Sequence, residues 1–174
     1  VLNFAFVNSS DVDFYPMYWG DRKINKWLAQ EAAFNQSNLP PVIIGQNEPD
    51  VNASGESSGE SPSQSVAGWI KHLAQYQKRG VRVTSPQIVW NFGWLDSFMS
   101  QLSKAGYEPD IVAAHWYGGW DDLDTFKAYV QKLRCVCPEC CLKRAVALTL
   151  SHRTLQGALR QASLPDRDRH HHQI

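Results

Sequence analysis

Short apolar runs alternate with longer amphipathic stretches along the first 133 residues. The runs at 14–19, 42–45, 81–86 and 111–117 are rich in aromatic or β-branched residues, which is typical of strands. Between them, apolar residues recur three and four positions apart, which predicts helices. Strands that alternate with helices of about 10–15 residues predict the α/β class with a parallel sheet.

The helical pattern covers 21–34, a segment from Ser61 to Gly80, a segment around Trp94 that ends near Gly106, and a segment from Asp121 or Asp122 to Leu133. Ser61, Pro62 and Gln64 form a helix-start signature, with a cap, a proline and a returning glutamine. The second helix carries an aromatic and aliphatic stripe that could be a binding face. Its spacing favours core packing instead. The stripe consists of Val66, Trp69, Ile70, Leu73 and Tyr76.

No glycine-rich phosphate loop follows any of the four strands, so a nucleotide-binding α/β fold has no support. Repeated strand–helix units without such a loop favour a barrel. A complete eight-fold barrel typically needs about 250 residues, and this chain has 174.

Composition changes abruptly after residue 133. All twenty aromatic residues precede this point, whereas all four cysteines follow it. The first part carries ten Lys and Arg against fourteen Asp and Glu, and residues 134–174 carry seven against three. We therefore expect two kinds of sequence, an ordered domain at 1–133 and an aberrant Cys- and Arg-rich tail at 134–174.

Charge and hydropathy argue against two classes of partner, nucleic acids and membranes. The formal net charge of the whole chain is zero, which argues against binding to nucleic acid or to a membrane surface. No apolar run approaches the roughly 20 residues of a membrane span. We therefore expect neither nucleic acid nor membrane as a partner.

Polar and aromatic residues collect where the predicted strands end. A parallel sheet places these ends on one face, which brings together Trp19, the pair Asn47-Glu48, Ser85 with Trp90 nearby, and the triplet 115–117. That triplet is His115-Trp116-Tyr117. Aromatic platforms with a few hydrogen-bonding groups match the flat apolar faces and hydroxyl edges of sugars. Glu48 is then the candidate catalytic acid.

Two simpler interpretations stay open. Asn47 and Asp50 could only form a turn by bonding nearby backbone groups, which would leave Glu48 without a chemical role. His115 could be a structural histidine whose ring nitrogens are satisfied inside the protein.

Five motifs in order resemble glycoside hydrolase family 128, the fungal glycosyl hydrolases that are similar to β-1,3-glucanases. Each motif alone is weak, because Asn-Glu-Pro recurs in many glycosidase barrels, whereas the ordered set is specific. The motifs are Phe-Tyr-Pro-Met-Tyr-Trp-Gly at 14–20, Gly-Gln-Asn-Glu-Pro-Asp at 45–50, Thr-Ser-Pro at 84–86, Trp94-Leu95 with Phe98-Met99, and His-Trp-Tyr-Gly at 115–118.

The resemblance implies a partial (β/α)8 TIM barrel, about strands 3 to 6 with their helices, and a retaining mechanism. Glu48 would be the general acid/base. Trp19, Asn47, His115, Trp116 and Tyr117 would contact a β-1,3-glucan of cell walls. The resemblance further implies a monomer in the extracellular space or cell wall. We expect no cofactor and no metal.

The family pattern departs from this chain after residue 133. The family's seventh strand ends in a Thr-Glu-Phe-like motif that supplies the nucleophile, and Glu139 is the only glutamate after that point. Strands 1, 2, 7 and 8 are expected to be missing. The resemblance therefore implies a glycosidase-like domain without its nucleophile, inactive as it stands. A non-catalytic glucan-binding homologue is the alternative.

The tail admits three interpretations. A frame-shifted or mis-spliced, disordered end explains the lost aromatics and the missing nucleophile together. A metal or disulfide knot is the second, because the four cysteines and nearby histidines offer soft ligands on an otherwise unrelated α/β domain. A basic nucleic-acid arm is the third, although no aromatic residues interleave its basic ones. The cysteines are Cys135, Cys137, Cys140 and Cys141, and the histidines are His152 and 170–172.

Overall fold

The computed structural model describes residues 14–34, 39–119 and 121–136, and the backbone of 145–150. Its strands are β1 (Val42–Ile43), β2 (Arg82–Val83), β3 (Ile111–Trp116) and β4 (Ala145–Leu150). Its helices are α1 (Ile24–Glu31) after a 3-10 turn at Asp21–Lys23, α2 (Pro62–His72), α3 (Ala74–Gln77), α4 (Phe92–Lys104) and α5 (Leu123–Cys135). The predicted α/β class is confirmed.

The strands run parallel and neighbour one another in chain order. β1 pairs with β2, and β3 pairs with β4. A bridge between Thr84 and Ile111 joins the two pairs, and a bridge between Met17 and Ile44 adds the segment at 14–20 beside β1. Each crossover carries a helix, as parallel connection requires. The description of this arrangement as part of a barrel stays a prediction.

The predicted first strand at 14–19 forms only a single bridge. Tyr18 donates its N–H to Ile44 O at 2.9 Å, and Ile44 donates to Pro16 O at 2.9 Å. Pro16 has no N–H to donate, which limits the ladder at this end.

The helix predicted to run from Ser61 to Gly80 begins as expected and then breaks. Gln64 N–H donates to Ser61 Oγ at 3.3 Å, and Ser61 N–H donates to Gln64 Oε1 at 2.9 Å, which confirms the capping box. The helix divides at Leu73 into α2 and α3. Trp69, Leu73 and Tyr76 are buried, so the stripe of this helix packs in the core as predicted.

The core lies between the sheet and the helices. The indole N–H of Trp69 donates to Thr84 O at 3.0 Å, which ties α2 to the end of β2. α4 adds a fully buried row along one face, made of Leu95, Phe98 and Leu102. This packing holds the carboxyl ends of the strands on one face.

The tail departs from the prediction at one place. Residues 145–150 form β4, which pairs with β3 over six residues from Ile111↔Ala145 to Trp116↔Leu150. This segment is therefore a strand, and its nearly continuous apolar run, with Thr149 as its one polar residue, is typical of strands in parallel sheets. α5 also continues to Cys135, two residues beyond the predicted end. The division at residue 133 into two domains stays a prediction.

Among the residues that the structure describes, no helix combines the length and the apolar character that crossing a bilayer requires.

Candidate active site

Glu48 lies just past the end of β1, where the chain turns away from the sheet. Glu48 N–H donates to Gln87 O at 2.9 Å, and Gln87 N–H donates to Gln46 O at 2.8 Å. These bonds extend the parallel pairing beyond β1 and β2. Glu48 itself has φ of 46°, a left-handed conformation that only glycine adopts without cost. The surrounding backbone holds Glu48 in this conformation.

The carboxylate of Glu48 meets two side chains from the end of β3. His115 Nδ1 lies 2.7 Å from Glu48 Oε1, and the hydroxyl of Tyr117 donates to the same oxygen. The side chains of Glu48 and His115 are each 13% exposed. One carboxylate oxygen is therefore held from two sides at the edge of solvent.

Tyr117 keeps its proton in this arrangement. Partial burial of the phenol, followed by its hydrogen bond to Glu48, raises the pKa of Tyr117 to about 12. The hydroxyl is thus a donor near neutral pH. The residue as a whole is 58% exposed, so its ring also presents an aromatic surface.

The second ring nitrogen of His115 contacts a residue that the sequence interpretation missed. His115 Nε2 lies 3.0 Å from Gln87 Oε1, and Gln87 is 5% exposed. Gln87 Nε2 donates in turn to Met17 Sδ at 3.1 Å. The available signal was an amide side chain directly after the 81–86 strand, where the predicted strand ends collect polar groups.

Trp116 is not brought to the site. It is 8% exposed, and its ring packs against Phe126 at 5.7 Å and Tyr129 at 5.1 Å on the helix side of β3. Side chains alternate along a strand, so His115 and Tyr117 share the site face and Trp116 takes the opposite one. The prediction of Trp116 as a substrate contact has no support from this position.

Tyr129 of α5 fixes the backbone at this point. Its hydroxyl lies 2.8 Å from Val89 O and 2.9 Å from His115 O. Burial raises the pKa of Tyr129, so the hydroxyl stays protonated as a donor between the two segments. Tyr129 therefore ties α5 to the backbone of His115 and fixes the position of this end of β3 relative to the helix.

Trp19 and Asn47 lie beside Glu48 but already have protein partners. Lys23 Nζ lies 4.2 Å from the ring centroid of the half-buried Trp19, and Trp19 O accepts from Asn47 N–H at 3.1 Å. Asn47 Nδ2 donates to Glu56 O at 2.8 Å. Asn47 thus holds the polar loop after β1 at the margin of the site.

The side chains of Asp50 and Ser85 accept hydrogen bonds from backbone N–H groups. The carboxylate of Asp50 accepts from three successive N–H groups, those of 89, 90 and 91, at 2.9–3.1 Å. The turn interpretation is thus wrong for Asp50, because its carboxylate bonds a segment 39–41 residues further along the chain and not the backbone of its own turn. Ser85 Oγ is buried and accepts from Ala113 N–H at 2.9 Å. The loop that Asp50 holds presents Trp90, which is 64% exposed.

Within the residues that the structure describes, no group of three or more His, Cys, Asp or Glu side chains could hold a metal ion. Cys135 is exposed and free. The remaining cysteines and the histidines at 152 and 170–172, together with Glu139, lie outside the described residues.

A family model described as "Glycosyl hydrolase catalytic core" matches residues 3–139. No curated protein sequence matches the chain.

Three solved structures illustrate the likeness. A curdlan-specific GH128 exo-β-1,3-glucanase from Blastomyces gilchristii is 26% identical, with a TM-score of 0.62 over 74% of this chain and 55% of its own. A GH128 endo-β-1,3-glucanase from Amycolatopsis mediterranei, in complex with laminaritriose, is 26% identical, with a TM-score of 0.58 over 79% of this chain and 53% of its own.

The third structure shows the fold alone. A GH128 oligosaccharide-binding protein from Cryptococcus neoformans is 22% identical, with a TM-score of 0.62 over 76% of this chain and 50% of its own. The chain thus spans about half the length of these solved structures. The chain therefore belongs to the glycosyl hydrolase catalytic core family and is a GH128-like member of it.

Proposed function

We propose that the strand-end face binds β-1,3-linked glucan and that Glu48 is the general acid/base of a retaining glycoside hydrolase site. The observation that carries the proposal is the hydrogen-bonded group of Glu48, His115 and Tyr117 at the carboxyl ends of β1 and β3. The likeness to two β-1,3-glucanases at 26% identity supports the choice of substrate.

Glu48 has the geometry that an acid needs. A general acid gives its proton to the glycosidic oxygen while the bond to the anomeric carbon breaks. His115 and Tyr117 both hold Oε1, so the carboxyl group presents a fixed orientation to a bound sugar. Trp19 and the exposed ring of Tyr117 would flank the sugar with apolar faces, and Asn47 would hold the wall beside it.

A retaining mechanism also needs a second carboxylate about 5–5.5 Å from the first. The strand next to β3 is β4, and its register places Thr149 opposite His115 and Leu150 opposite Trp116. Neither residue is acidic. This supports the proposal that the chain as it stands binds glucan without hydrolysing it, since the nucleophile is absent from the strand end that adjoins Glu48's partners.

The binding proposal is tested by calorimetry with laminaritriose and longer β-1,3-linked glucose oligomers. We expect heat of binding for the wild type and for Glu48→Gln, which keeps the shape of the side chain. Asp96→Asn on the exposed side of α4 is the control that should change nothing. Absence of heat at millimolar ligand, a free energy weaker than about −4 kcal/mol, would defeat the proposal.

The role of Glu48 is tested by supplying the missing nucleophile. Azide can attack the anomeric carbon, forming a C–N bond while the glycosidic C–O bond breaks and the leaving oxygen takes the proton of Glu48. We expect the glycosyl azide and the shortened glucan fragment, measured by mass spectrometry, only with azide, and a loss of about 10²–10⁴-fold in Glu48→Gln. Cleavage without azide would show that the chain hydrolyses glucan by itself. Equal cleavage by Glu48→Gln would show that Glu48 is not the general acid.

The chain's other expected properties follow from this substrate and remain proposals. A protein that acts on glucan of a cell wall would work outside the cell or in the wall, and we propose that it does so as a monomer. The alternative of a dedicated glucan-binding homologue is favoured by the residues at the end of β4. Binding without azide-dependent cleavage would establish it.

A further inference from the structure

We propose that Gln87 is a positioning residue that holds His115 with its proton on Nε2, so that His115 Nδ1 and Glu48 Oε1 hold one proton between them. Glu48 would thereby keep an acid proton within reach of the glycosidic oxygen. The inference rests on the proposed role of Glu48 for its functional meaning. Its geometry stands independently of any sugar.

The backbone and the side chain of Gln87 are both constrained. Its N–H donates to Gln46 O and its C=O accepts from Glu48 N–H, so the residue lies beside the candidate acid on the neighbouring parallel segment. Its amide nitrogen donates to Met17 Sδ at 3.1 Å. A thioether sulfur can only accept, so the amide turns its nitrogen towards Met17 and its oxygen towards His115.

The amide oxygen of Gln87 determines the tautomer of His115. Gln87 Oε1 carries no hydrogen and lies 3.0 Å from His115 Nε2, so Nε2 must donate. A neutral imidazole has one N–H, which leaves a lone pair on Nδ1. That lone pair faces Glu48 Oε1 at 2.7 Å.

Two bare acceptors at 2.7 Å would repel each other, so one proton must lie between Nδ1 and Oε1. It forms either a carboxylic acid beside a neutral ring or a carboxylate beside an imidazolium. In both states the pair carries one proton that can leave towards the glycosidic oxygen. The opposite tautomer, with its only proton on Nδ1, would donate to a carboxylate and leave Nε2 bare towards Gln87.

Gln87 therefore acts through His115 rather than on a substrate. During cleavage the new O–H bond forms on the leaving oxygen, and the proton held between Nδ1 and Oε1 is lost from the pair. Tyr117 remains a donor to Oε1 throughout, because its hydroxyl stays protonated. Removing the amide oxygen of Gln87 should free the ring to adopt either tautomer.

The test is nitrogen-15 NMR of the histidine rings in the full chain, with the His115 signals assigned by their loss in His115→Asn. Near neutral pH we expect Nε2 to be protonated in the wild type. In Gln87→Met, which keeps the side-chain length and removes the acceptor, we expect Nδ1–H tautomer to become populated. In Gln87→Glu, whose carboxylate oxygen can also accept from the ring, we expect Nε2–H to be retained.

Gln46→Met is the matched control. Gln46 is also a fully buried glutamine beside β1, but its side chain donates to Ser65 O at 2.8 Å and has no contact with His115. We expect this variant to lose stability without changing the His115 signals. A wild-type ring with bare Nε2, or the same shift in both methionine variants, would overturn the inference.

The inference and the proposed function fail in different ways. If sugar binds and azide-dependent cleavage needs Glu48, but Gln87→Met leaves the tautomer unchanged, the role of Gln87 is wrong. If Gln87→Met shifts the tautomer population of His115 while no glucan binds, Gln87 is confirmed as the residue that fixes the tautomer of His115. The glucan proposal is then wrong. Should Gln87→Met fail to fold, the wild type and Gln87→Glu still decide the question.

Discussion

The left-handed backbone of Glu48 can be measured as a free energy. Glu48→Ala and Glu48→Gly both remove the carboxylate and both lose its bonds to His115 and Tyr117. The two variants differ in how well they accept φ of 46° and in the flexibility of the unfolded chain. Comparing them therefore isolates the backbone strain from the lost hydrogen bonds.

The expected difference follows from two opposing effects. An L-residue in the left-handed region costs about 1–2 kcal/mol, whereas glycine forfeits about 0.5–1 kcal/mol because its unfolded chain is more flexible. We therefore expect Glu48→Gly to be about 0.5–1 kcal/mol more stable than Glu48→Ala. Equilibrium unfolding in urea, with the two transitions compared at equal slope, measures this difference.

Asp96 supplies the matched control. It lies on the exposed side of α4, where the backbone is helical. There glycine is disfavoured, and we expect Asp96→Gly to be about 1 kcal/mol less stable than Asp96→Ala. The sign should thus reverse between the two sites. Alanine more stable than glycine at both positions would show that Glu48 is not strained.

Three further predictions concern stability. In Gly45→Ala the new Cβ would lie 2.6 Å from Ser85 O, a backbone atom that cannot move aside, so we expect the free energy of unfolding in urea to fall by about 1–3 kcal/mol. Gly93→Ala at the start of α4 is the control, because its Cβ meets no such contact and should add stability. Equal effects of the two substitutions would refute the clash. Burial lowers the pKa of His72. The stability that the neutral ring contributes is therefore complete above about pH 6.5 and is lost as the pH falls through the pKa of the folded state. His72→Phe should make the free energy of unfolding less dependent on pH in that window, and an unchanged slope would contradict this. Asp50→Ala leaves three backbone N–H groups without their acceptor, and calorimetric melting should show a loss of about 1–3 kcal/mol, whereas an unchanged melting temperature would show that water replaces the carboxylate.

The sequence was informative where local chemistry decides the structure. The capping box at Ser61, the β-branched strand before Glu48 and the apolar row of α4 each express a rule that needs no tertiary contact. These elements place Glu48 and His115 at strand ends, as predicted.

Other features depend on contacts that are distant in sequence. Gln87 meets Met17 and His115 only through the parallel order of the strands, and no spacing in the sequence encodes those pairs. Strand alternation predicts that Trp116 points away from His115 and Tyr117. Its place among other aromatic residues at the strand end nevertheless favoured its assignment as a sugar contact. Composition likewise obscured β4, since Ala145–Leu150 is a short apolar run within an otherwise Cys- and Arg-rich tail.

The loop that Asp50 holds bears on the charge of the ligand that the proposed function implies. Three successive backbone N–H groups that converge on one point are what many α/β proteins use to bind a phosphate. Here those donors converge on the protein's own carboxylate, which supplies the negative charge internally. If the proposed function holds, a phosphorylated sugar near this loop would meet a filled site and a like charge, so we expect neutral saccharides to bind in preference.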